Sequence, residues 1–150
     1  MTEFIIGVLT ACLGSLGFSF LFHVDLKYIP LGVLGGALNW AAYLAVFEVT
    51  DGIFASALAG AVVATLYAEL LAYICRTPAT VFLLPSLIPL VPGGSLYYTM
   101  SNLLVKNYEV AAAKGIQTVE VMLGTSLGVV MASLVVYAVR HVASKRKTNK

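Results

Sequence analysis

The chain has little charge and few of the groups that catalysis needs. Asp, Glu, Lys and Arg make up 11% of its 150 residues, against 60% hydrophobic. A soluble domain of this size could not cover so much apolar surface with so few charges. Mean hydropathy is +0.94, and the chain reads as one integral membrane domain. With a net charge of only +2, nucleic acid is not an expected partner. Cys12 and Cys75 both fall in apolar stretches. They offer no disulfide framework and no Cys/His metal spacing, and read as packing residues. The two histidines lie far apart, no nucleophile and base share a helix face, and there is no nucleotide-binding loop. Neither an enzyme, a cofactor nor a metal site is expected.

What is present is a set of five apolar stretches, each near the roughly 20 residues that cross a bilayer. They cover 4–22, 29–47, 52–75, 80–100 and 118–139. The expected fold is all-α, an integral membrane protein with five transmembrane helices, the fourth broken at a Pro/Gly motif. Residues 1–143 form the transmembrane domain and 144–150 a basic cytoplasmic tail resting near anionic headgroups. The first stretch carries Glu3 at its start, no Lys or Arg and no clear cleavage site. It reads as a retained helix.

Lys and Arg set the orientation. Lys27, Arg76, Arg140, Lys145, Arg146, Lys147 and Lys150 fall on one side of the expected bundle, and only Lys106 and Lys114 on the other. The positive-inside rule then places the N-terminus outside and the C-terminus in the cytoplasm. The outer connection, 101–117, alternates Leu103, Leu104, Val110 and an alanine run with Lys106, Glu109 and Lys114. It predicts an interfacial helix or a helical lid.

Small residues recur every four positions: Gly7, Ala11 and Ser15; Gly32 and Gly36; Ser56, Gly60, Ala64 and Ala68; Gly124, Gly128 and Ala132. In lipid such stripes let backbones approach and serve as packing seams. Five helices carry more seams than they can satisfy alone, so a partner chain is expected. Few polar residues interrupt the spans. Glu69, about 9 Å inside the third span at ~1.5 Å per residue, is a candidate for proton coupling, or else meets a cation from a neighbouring helix. Thr65 and Tyr73 stand one turn either side of it. Asn39 either bonds across to another helix or contacts a solute, and Trp40 reads as packing. His23, at the cytoplasmic end of the first span, reads as solvated.

The most informative stretch is a ladder of Pro85, Pro89 and Pro92 followed by Gly93, Gly94 and Ser95. Three prolines remove three amide donors and clash with the preceding turns, which predicts a broken helix. Gly93 and Gly94 suit a left-handed or extended passage, and Ser95 a cap for a half-helix through Tyr97, Tyr98 and Met100. A half-helix N-terminus at membrane depth presents amides and a positive dipole end to a carboxylate. That chemistry suits an organic acid or an amino acid.

The run FLLPSLIPLVPGGSLYYTM, 82–100, resembles the Pro-Gly signature of the threonine/serine exporter family, in the half-size subunit that includes the small subunit of bacterial succinate exporters. GSLGFSFLFHV at 14–24 and LGGALNWAAY at 34–43 resemble that subunit's first two helices in matching order. The resemblance implies a C-terminal-type half of an inner-membrane exporter built from two five-helix halves, with a larger subunit of the same family as partner. It implies a secondary exporter of threonine/serine or succinate-like solutes, multi-pass in the bacterial cell membrane. Pro89, Pro92 and Gly93 match the signature. The remaining substrate-site candidates are Gly94, Ser95, Tyr97 and Asn39. Glu69 belongs to no matched motif. The rival expectation is a non-transporting assembly or scaffold subunit.

Overall fold

The structure is a computed structural model that describes the backbone of residues 2–148 and the side chains of residues 4–141. Its helices are α1 (Thr2–Leu21), α2 (Ile29–Thr50), α3 (Ile53–Cys75), α4 (Thr80–Leu87), α5 (Gly93–Leu104) and α6 (Tyr108–Thr148), with a 3₁₀ turn at Ile88–Leu90 after α4. Four helices are long and apolar enough to cross a membrane. The bent pair Thr80–Leu90 and Gly93–Leu104 makes a fifth span if counted as one. The five expected spans and the broken fourth are therefore present.

Lipid as solvent inverts the usual distribution of side chains. Alanines 11, 57, 61, 64, 68, 111 and 132 are most of the buried hydrophobic residues among those described, while Leu13 is 68% and Leu104 84% exposed. Long apolar side chains face outward because hydrocarbon solvates them as well as protein would. The interior goes to residues small enough for helices to touch. Helix α3 packs between α2 and α6, α1 lies on the far side of α2, and α4 crosses α2 and α3.

The small-residue stripes are the seams. On α6, a Cβ added to Gly124 would sit 2.6 Å from the Phe54 carbonyl oxygen of α3. One added to Gly128 would sit 2.7 Å from that of Leu58. Gly36 faces Ser15 of α1, Gly35 faces Ser86 of α4, and Gly60 faces Asn39 of α2. These glycines are helical, and no glycine in the described residues has positive φ. Left-handed positions fall instead to His23, Asp51, Arg76 and Lys106. Such a conformation costs on the order of 1 kcal/mol in a residue with a side chain. Each closes a helix end or tight turn: the Asp51 amide donates to Phe47 O and the Arg76 amide to Ala72 O.

The connection 101–117 departs from expectation. Helix α5 continues to Leu104, a tight turn follows, and α6 starts at Tyr108 and runs unbroken for 41 residues. Among the described residues of this connection there is no separate interfacial helix or lid. The Ala111–Ala113 run is strongly helix-forming, and nothing after Asn107 interrupts the backbone. At ~1.5 Å per residue α6 is about 60 Å long, twice the ~30 Å hydrocarbon core, so part of it stands outside the membrane. Backbone helix also continues into the basic run from Ser144. Residues 149–150 lie outside the described residues.

Candidate functional site

The proline ladder is where the helical hydrogen-bond pattern fails. Pro85 lies inside α4, Pro89 in the 3₁₀ turn, and Pro92 just before α5. Val91 is extended, with φ −66° and ψ 118°, and the two half-helices meet at 46°. Ser86 lies in the last turn of α4, where carbonyls lose their helical partners. Asn39 Nδ2 of α2 donates to its carbonyl oxygen at 2.6 Å. Asn39 is fully buried, and its Oδ1 has no partner among the described residues. Of the two openings left by the sequence, the interhelical bond is made, and Asn39 braces the break from the α2 side.

Beyond the break, Gly93 N donates to Val91 O at 2.8 Å and Leu96 N to Pro92 O at 3.0 Å. Between them, Gly94 and Ser95 occupy the first turn of α5, whose amides have no helical carbonyl to meet. Gly93 and Gly94 are exposed, and a Cβ on either would meet nothing within 4 Å. Both glycines are helical rather than left-handed or extended, a correction to the expected passage. Ser95 is not the cap. Pro92 precedes the helix, and Ser95 Oγ donates back to Pro92 O at 3.2 Å. The Thr118 hydroxyl of α6 lies 3.0 Å from Ser95 Oγ and 2.9 Å from Lys114 O, and its one proton serves either.

Pro92 walls a cavity of about 620 Å³ between the break and α6, with Leu90, Val91, Met122, Thr125 and Ser126. Ser126 donates to Met122 O, whereas Thr125 Oγ1 is buried without a partner. Thr125 and Ser126 were missed in the sequence. The available signal was a hydroxyl pair set between the seam residues Gly124 and Gly128. Pro89 lies on another side of the break, walling a hollow of about 170 Å³ with Gly7, Thr10, Ala11 and Trp40. Trp40 Nε1 is buried there and unpartnered, so Trp40 leaves a donor unused beside the break as well as packing. Tyr97 is 66% exposed and stacks edge-on against Tyr98 with ring centroids 5.5 Å apart.

Glu69 stands apart from this site. Its Oε2 is 3.0 Å from Arg140 Nη2, the expected cation from a neighbouring helix. That nitrogen also lies 3.3 Å from the Glu69 carbonyl. The pair lines a cavity of about 920 Å³ with Tyr73, Arg76 and Thr77. Of the two residues one turn away, Tyr73 shares this cavity and Thr65 does not. Thr65 is buried and donates to Ala61 O, and Tyr73 is 76% exposed.

A broken span leaves backbone amides that a helix bundle can offer to a small polar solute. The fold is that of a multi-pass helical membrane protein. The chain belongs to the threonine/serine exporter family, whose model, Threonine/Serine exporter, ThrE, matches residues 7–135. No curated protein and no solved structure matches the chain. Family membership gives it an exporter-type transport function and a multi-pass location in a membrane.

Proposed function

We propose that the chain is one subunit of a secondary exporter of small carboxylates or amino acids, threonine/serine or succinate-like, working with a larger subunit of the same family. The solute is held at the break, by the amides of Gly94 and Ser95 and the walls at Pro89 and Pro92. Tyr97 and Asn39 contribute from either side, and Thr125 adds its hydroxyl. The proposed setting is the bacterial inner membrane, with the N-terminus outside and the C-terminus cytoplasmic. Glu69 is the candidate for carrying a coupled proton when Arg140 leaves it.

The observation that carries this reading is the open start of α5. Among the described residues nothing lies within 4 Å of a Cβ at Gly93 or Gly94, and both glycines stand beside unpaired amides, next in the chain to the cavity wall at Pro92. We read their use as close approach of a solute or a partner from outside the chain. Helix α5 buries no residue of its own and packs mainly against α6, which fits a face completed by a larger subunit. The same bare face also favours a second reading, a non-transporting assembly or scaffold subunit.

The deciding experiment measures export of labelled threonine, serine and succinate from cells. These express the chain alone, the chain with the larger subunit, or that pair carrying Gly93→Leu. The expected result is export that needs both chains and is lost with Gly93→Leu while the complex still assembles. Export of none of the three by an assembled pair would replace this reading with the scaffold.

A further inference from the structure

We infer that the cleft shared by Glu69, Arg76, Thr77 and Arg140 is a second anion site. It takes the carboxylate of a small free solute, and Glu69 holds that carboxylate's place until the solute arrives. The inference rests on the transport reading and adds to it a first binding station away from the break.

The cleft has more donors than its own acid can use. Arg140 meets Glu69 through one nitrogen, Nη2, at 3.0 Å from the carboxylate. The rest of its fork has no partner among the described residues, and the side chain is 52% exposed. Arg76 lines the same cavity, and no acidic partner is found for it among the described residues. Thr77 Oγ1 is buried in the wall without a hydrogen bond. A pair serving only to tie α3 to α6 would not need a second guanidinium and an idle hydroxyl beside it. Two guanidiniums against one carboxylate leave a net positive cleft, and the planar forks suit a carboxylate bound through two oxygens.

Thr77 and Pro78 also wall a second cavity, of about 400 Å³, whose lining includes Asp25 and Pro85, the first proline of the ladder. A lipid phosphate would bind the same arginines at the rim, but its acyl chains would keep it there. A free solute has no such anchor and can leave the cleft again. When its carboxylate takes Arg140 and Arg76, Glu69 loses its cation and the tie between α3 and α6 opens.

The test is equilibrium binding of labelled succinate and labelled threonine to the full chain, purified in nanodiscs of phosphatidylcholine. The variants are Glu69→Gln, Arg76→Gln and Thr77→Val. Removing the resident acid is expected to tighten binding about tenfold and removing Arg76 to weaken it about tenfold, each the scale of one charge-assisted hydrogen bond. Thr77→Val weakens it less. Arg76→Gln and Thr77→Val leave the Glu69–Arg140 pair in place, so a fold loosened at that pair cannot produce their effects. Equal binding by all variants overturns the inference. So does phosphatidylglycerol added to the discs displacing the solutes and co-purifying with the chain through Arg76, which makes the cleft a headgroup site. Binding at the cleft without export by cells counts against the export reading alone. Export that persists while all cleft variants bind alike counts against this inference alone.

Discussion

Glycines 128 and 93 are the same residue in opposite settings. At Gly128 an added Cβ would stand 2.7 Å from the Leu58 carbonyl oxygen and 2.8 Å from Ala61 Cβ, so α3 and α6 touch only because nothing is there. At Gly93 it would meet nothing within 4 Å. Neither glycine has positive φ, so neither is explained by backbone freedom. The first is fixed by the chain's own packing, and for the second the described residues supply no packing reason. The contrast extends to their helices. The middle of α6, Gly124 to Ala132, is bound into the seam, while α5 buries no residue.

The seam is where a substitution does most damage. Gly128→Val is expected to destabilise the folded chain by about 3 kcal/mol, because the obstructing atoms at Leu58 are backbone and cannot turn aside. The measurement is thermal unfolding of the detergent-solubilised protein, alongside its abundance in membranes. An unchanged unfolding temperature would remove the distinction between the two glycines.

Between the extremes lies Asn39, which ties the seam to the break. Asn39→Leu keeps the branched shape but leaves the Ser86 carbonyl buried and unpaired, with an expected loss of about 2 kcal/mol. Some of that loss is offset because the unpartnered Oδ1 goes too. The same unfolding assay checks it, and export should fall further than stability alone accounts for, since the half-helices lose their brace. If export and stability fall in step, Asn39 belongs to the seam only.

The sequence carries the seam and the break better than the connection from α5 to α6. Gly124, Gly128, Ser56, Gly60 and Ala64 announce themselves by four-residue spacing, a local pattern that one helix enforces by itself. Pro85, Pro89 and Pro92 mark the break for a similarly local reason, the loss of amide donors. The fate of 101–117 is not legible in the same way, since α5 takes it to Leu104 and α6 from Tyr108. Lys106, Glu109 and Lys114 suggested the interface, but helix propensity at Ala111–Ala113 joined the segment to α6. Glu69 and Arg140 lie 71 residues apart. Their pairing depends on α6 returning beside α3, which no local pattern encodes. Thr125 is another such case, because its hydroxyl gains meaning only where α6 passes Pro92.

The sharpest form of the comparison is Gly93→Ala, the substitution with the smallest expected effect on the fold. An exposed glycine in a helical conformation gains from alanine, because the unfolded chain has less freedom to lose, and the expected change is about 0.5 kcal/mol in favour of folding. The added methyl touches nothing in the chain, so unfolding temperature and membrane abundance should hold or rise slightly. Export by the assembled pair should nevertheless fall, since the methyl occupies space beside the open amides of Gly94 and Ser95. Loss of export from a protein no less stable would place the need for glycine outside the chain, in the solute or the partner. Retained assembly points to the solute, and lost assembly to the partner. If export and assembly both continue undiminished, α5 has no stake in its glycines and the break must act through the wall at Pro92 and Thr125 instead.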